Sequence, residues 1–91
     1  MTQAELIAAI LEYLNEARIR TTYGVVAKIL GVNPRSVGQL LGERRPEASW
    51  VVNTKTKDPT DYTEDEKHPD LYRTDRIITS AEVIKRNINL P

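Results

Sequence analysis

The sequence predicts an α+β fold: a small winged helix-turn-helix domain of three to four helices with a short β wing. Three observations carry this. Residues 22–42 hold two short runs of apolar residues at helical spacing, separated by Gly31 and a second start signal at Asn33-Pro34. A longer amphipathic run precedes them, and a short β-branched segment at Trp50-Val51-Val52 follows. The 91 residues, 10.3 kDa, are sized for one domain over 1–91, and an aromatic share of only 5% leaves Leu, Ile and Val to build its core.

The first helix is set by Thr2-x-x-Glu5, a capping box in which each side chain satisfies a free amide at the other's position. Leu6, Ile7, Ile10, Leu11 and Leu14 then recur at helical spacing, so the helix should run to about Ala17, with Glu5, Glu12 and Glu16 off its apolar stripe. It reads as scaffolding. Arg18 and Arg20 follow, placed either to reach a phosphate or to cap the negative end of that helix.

Thr22 is the cap of the second helix, which presents Val25, Val26, Ile29 and Leu30 inward and stops at Gly31. Asn33 caps the third. Pro34 suits its first position because the missing amide hydrogen has no partner there anyway. That helix should end at Gly42 and bury Val37, Leu40 and Leu41, turning Arg35, Ser36 and Gln39 outward as contacts for a DNA groove. Gly38, in mid-helix, costs about 1 kcal/mol relative to alanine, which suggests close approach by another backbone.

The segment Thr22-Tyr23-Gly24-x-Val26-Ala27, then Leu30-Gly31, then Asn33-Pro34-Arg35-Ser36-Val37-Gly38 resembles the DNA-binding domain of the O6-alkylguanine-DNA alkyltransferases and the alkyltransferase-like proteins of DNA repair. The resemblance covers about a third of the chain. It implies that Tyr23 works against a DNA phosphate and that Arg35 enters the base stack in place of a flipped nucleotide. It breaks at the acceptor motif, where the family has Pro-Cys-His-Arg-Val or Pro-Trp-His-Arg-Val and this chain has Pro46-Glu47-Ala48-Ser49-Trp50-Val51. Without a gap, Ala48 stands at the acceptor position; with a two-residue deletion, Trp50 does. Either way the chain has no cysteine, and alkyl transfer needs a thiolate to take the alkyl group. A non-enzymatic protein without cofactor is the expectation.

Charge is unevenly distributed behind a net of zero. Residues 17–57 carry eight bases against two acids, and residues 58–70 carry six acids against one base. The basic block coincides with the helix pair and its presumed wing, as binding to the phosphates of double-stranded DNA requires. The expected contacts are Tyr23, Asn33, Arg35, Ser36, Gln39, Arg44, Arg45, Lys55 and Lys57. An alternative is that these are ordinary solvated faces paired with the acidic loop. Trp50 is the single tryptophan; it reads either as a core anchor or as a wall of a pocket for a flipped base.

Residues 58–76 lack a sustained period and read as a long loop that packs back through Leu71 and Tyr72, the start of a C-terminal extension over 58–91. Arg76-Ile77-Ile78 reads as a second short strand, and Thr79-Ser80-Ala81-Glu82 as a capping box opening a last helix with Val83, Ile84 and Ile88 inward. The solitary His68 excludes a zinc site built on two histidines. No run approaches the roughly 20 apolar residues of a membrane span, and no basic-then-apolar leader opens the chain, so a cytoplasmic location is expected.

The second class of function consistent with these features is a protein-interaction module, or a small transcriptional regulator on the same fold, with the acidic loop 58–70 meeting a protein partner. The position of that loop relative to Arg35 discriminates. Carboxylates on the same face as Arg35 would repel a duplex.

Overall fold

Four helices pack around a three-stranded sheet in the computed structural model, which describes residues 2–88. α1 (Gln3–Ala17) begins where the sequence places it: the Glu5 amide donates to Thr2 Oγ1 at 3.1 Å and the Thr2 amide donates to Glu5 Oε1 at 3.0 Å. That bond from the backbone amide, and then the one from the hydroxyl, hold the Glu5 carboxyl below its usual range. Ile10, Leu11 and Leu14 are buried along its inner stripe.

α2 (Tyr23–Leu30) and α3 (Pro34–Leu41) follow the local signals closely. Thr22 Oγ1 accepts from the Val25 amide, and Gly31 adopts φ 71°, the left-handed conformation that ends a helix and that glycine reaches without strain. Asn33 Oδ1 accepts from the Arg35 amide at 3.0 Å and opens α3. Two expectations for α3 are corrected. Leu40 is 36% exposed, lying at a shallow cleft against Gln3, Ala4, Ile7 and Ala8 of α1 rather than in the core. At Gly38 an added Cβ would meet nothing within 4 Å, so no neighbouring backbone accounts for it.

The sheet has the order β2-β1-β3 and is parallel throughout. Its central strand, β1 (Arg20–Thr22), has no counterpart in the sequence reading. It pairs with β2 (Val51–Val52) on one side and β3 (Ile77–Ile78) on the other. The two strands foreseen do not pair with each other; each runs alongside β1, and α2 and α3 form the long crossover that the parallel pair β1–β2 requires. Thr21 joins all three strands: its amide donates to Trp50 O at 2.9 Å and its hydroxyl to Ile78 O at 2.9 Å.

A 3₁₀ turn, Pro46–Ala48, leads from α3 towards β2, and a second, Glu64–Glu66, lies in the acidic loop. α4 (Ala81–Asn87) buries Ala81 and Ile84, and Val83 and Ile88 pack against the core beside them. The capping box foreseen at Thr79 and Glu82 is not formed: the cap residue is Ser80, and it makes no side-chain cap bond. No helix among the described residues is long and apolar enough to cross a membrane.

Candidate nucleic-acid interface

The outward face of α3 borders an open groove of about 610 Å³. Pro34, Arg35, Gly38, Gln39, Leu41 and Gly42 form one wall, Tyr23 and Arg44 extend it, and Asn53, Thr60 and Tyr62 face it from the chain that follows β2. The spacing explains the wall. Arg35, Gly38 and Gln39 stand at i, i+3 and i+4 and so share one side of the helix, which Gly42 caps, while Val37 is wholly buried on the other side and Leu41, 7% exposed, lies between the core and the groove. With no side chain at 38 or 42, the groove stays open between the arginine and glutamine.

Four of the expected contacts thus converge: Tyr23, Arg35, Gln39 and Arg44. The Tyr23 hydroxyl accepts from the Thr60 amide at 3.1 Å, which leaves its own hydrogen to be donated to a ligand. Burial of Tyr62 in the facing wall pushes its phenol up from the ordinary value, so it also stays protonated and able to donate at neutral pH. Arg44 has Asp61 Oδ2 3.9 Å from its Nη2, a long contact between two exposed groups. Lys55 and Lys57 lie in the turn between Asn53 and Asp58, which is closed by Asn53 N to Asp58 O at 2.9 Å and Lys57 N to Asn53 O at 2.8 Å; neither lines the groove, and Lys57 Nζ donates to Thr54 O at 3.4 Å within the turn.

Other expected contacts have different work. The Asn33 side chain is engaged as the cap of α3, and Ser36 is half-buried and does not line the groove. Arg45 differs sharply from its neighbour: its Nη1 donates to Leu41 O and Glu43 O, each at 2.8 Å, and so satisfies carbonyls at the C-terminal end of α3. Arg18 is itself the left-handed cap residue of α1 (φ 56°) and pairs with Asp70. Arg20 is buried, donating to Lys57 O at 3.0 Å and Thr74 O at 2.8 Å beneath the Tyr72 ring, so it clamps two loops and reaches no phosphate.

Of the two readings of Trp50, the structure has the core anchor, with no open pocket beside it among the described residues. Trp50 is wholly buried, donates from Nε1 to Asn15 Oδ1 at 3.1 Å, and lies against the His68 ring with centroids 4.7 Å apart. Ser49 beside it donates to Pro46 O at 2.7 Å and accepts from the His68 amide at 2.9 Å. Ala48, the other candidate for the acceptor position, is 1% exposed. The C-terminal extension covers this region through His68 and Leu71, as expected for Leu71, whereas Tyr72 remains 52% exposed.

The acidic loop is divided between two places. Residues 60–62 stand at the groove beside Arg35, whereas Asp70 is tied to Arg18 at the end of α1. Several carboxylates are already engaged: Asp58 accepts from the Tyr72 hydroxyl, Glu64 from Lys67 and Glu66 from the Thr63 amide. Asn53, Thr60 and Tyr62 were absent from the sequence-based contacts because irregular chain shows no periodicity; the only signal was the length of the loop. Comparison with protein-family models, curated proteins and solved structures yields no match to this chain.

Proposed function

We propose that this chain is a non-catalytic module that binds double-stranded DNA in the manner of a winged helix-turn-helix, with α3 presented to a groove of the duplex and residues 53–62 standing where a wing would. The observation that carries this reading is the convergence of Tyr23, Arg35, Gln39 and Arg44 on one groove, while Lys55 and Lys57 belong to the same stretch, 53–62, as three of its lining residues. Arg35 and Gln39 are the side-chain types that read base edges; Arg44, Lys55 and Lys57 suit phosphates. Tyr23 and Arg35, the two residues singled out by the alkyltransferase-like resemblance, line the same opening, and the groove between Tyr23 and Tyr62 is a recess in which a displaced or alkylated base would find aromatic faces and hydroxyl donors. The absence of cysteine supports recognition without repair chemistry.

The test is salt-dependent binding to two labelled duplexes, one plain and one carrying a single O6-methylguanine. With Arg44, Lys55 and Lys57 on phosphates, log K should fall against log salt with a slope of about −3. Preference for the modified duplex, lost in Arg35→Ala, supports base displacement; equal affinity supports a general or operator-type DNA binder. The second reading, a protein-interaction module, is favoured by one observation: Asp61, between the lining residues Thr60 and Tyr62, lies 3.9 Å from Arg44, where it would oppose a phosphate. Absence of duplex binding at low salt would select it.

A further inference from the structure

The acidic loop reaches the helix pair through consecutive residues. The Thr60 amide is bonded to the Tyr23 hydroxyl, Asp61 is set against Arg44, and Tyr62 is half-buried in the groove wall. Asp61 has φ 60°, a left-handed conformation in which aspartate and asparagine are the best tolerated residues after glycine. The backbone on either side thus fixes the residue close to Arg44. The ion pair with Arg44 does not need to hold it there, and at 3.9 Å with side-chain exposures of 50% and 78% it is too long and too wet to contribute much to folding.

A carboxylate offers a guanidinium the same kind of charge-assisted acceptor as a phosphate oxygen. We infer that Asp61 is a built-in competitor for the anion that Arg44 takes up: in the free protein it occupies Arg44, and a DNA phosphate must displace it. This rests on the DNA-binding reading and deepens it, because it makes Asp61 a residue that sets affinity without itself contacting the ligand favourably. The contact being long and exposed, displacement is easy, so the carboxylate lowers affinity by a modest factor rather than blocking the site.

The experiment compares equilibrium binding of wild type, Asp61→Asn, Arg44→Ala and the double variant to one labelled duplex at fixed low salt. Asparagine is chosen because it keeps the left-handed backbone while removing the charge. Asp65→Asn, in wild type and in Arg44→Ala, removes an equal charge four residues along the same loop and reports the general electrostatic effect. Asp61→Asn should bind about two- to fivefold tighter than wild type, the order of an exposed ion pair. The gain should vanish when Arg44 is alanine, and Asp65→Asn should give a smaller change that is the same in both backgrounds. No tightening, or the same gain with and without Arg44, overturns the inference while leaving DNA binding intact. No binding by any of the proteins overturns the DNA reading and the inference with it, and is distinguishable because wild type itself then fails.

Discussion

Two regions of this molecule use polar side chains in opposite ways. Around Trp50 the polar groups are matched: the indole nitrogen meets Asn15, the Ser49 hydroxyl bonds on both sides, and Thr21 joins the neighbouring strands. Along the groove, Arg35 and Gln39 are exposed, and Arg44 has only a distant carboxylate. Burial without partners is costly, so the first region must be satisfied internally and contributes to stability. The second is solvated, so its groups are available to a ligand. The difference separates residues that hold the fold from residues that the fold leaves exposed, and it falls between the two candidate sites that the sequence offered.

The largest effect expected on breaking that comparison is at Trp50. Trp50→Ala should cost about 3–5 kcal/mol of stability, the range for emptying a large aromatic site, and it also leaves Asn15 without its donor. Urea denaturation should show a lower midpoint, and any loss of ligand binding should follow the loss of fold. Arg35→Ala should do the reverse: thermal unfolding within about 0.5 kcal/mol of wild type, and duplex affinity weaker by about 1–3 kcal/mol if the guanidinium reads a base.

Adjacent arginines sharpen the contrast. Arg45→Ala removes the side chain that satisfies the Leu41 and Glu43 carbonyls and should lower stability by about 1 kcal/mol, with the salt slope of binding little changed. Arg44→Ala should leave stability alone and make the slope shallower by about 0.9. Nothing in the sequence tells Arg44 from Arg45; only the end of α3, which aims one guanidinium back at the helix and the other along the groove, separates them.

The smallest and most diagnostic effect is at Gly38. An alanine there meets no atom within 4 Å and removes a helix-weakening glycine, so Gly38→Ala should raise stability by roughly 0.5–1 kcal/mol. Its methyl group would also enter the groove between Arg35 and Gln39, so ligand affinity should fall as stability rises. A variant that gains in both would mean that the opening at 38 has no part in binding.

Local chemistry made the helices legible. Thr2 with Glu5, Thr22, Gly31, Asn33-Pro34 and Gly42 each act within a few residues, and α1, α2 and α3 begin and end where those signals stand. Strand β1 was hidden because three residues carry no usable period, and its parallel partners lie about 30 and 57 residues away, a pairing that local propensity does not encode. The same reason hides half of the candidate site. Arg35 and Gln39 are visible as the outer face of one predicted helix and Tyr23 at the first turn of the helix before it, whereas Thr60 and Tyr62 reach the groove only through the path of an irregular loop. Trp50 was legible as an anchor or as a pocket wall, and its burial under His68 decides for the anchor.

The central claim is that the groove beside α3, and not the region of Trp50, is the working surface. Its most direct test is a titration of labelled protein with duplex DNA, followed by amide and side-chain NMR shifts in wild type and Arg35→Ala. The account predicts salt-sensitive shifts at Tyr23, Arg35, Gln39, Arg44 and Tyr62, with the indole signal of Trp50 unmoved, and loss of those shifts in Arg35→Ala. Shifts centred on Trp50 and His68, or none at any salt concentration, would contradict it.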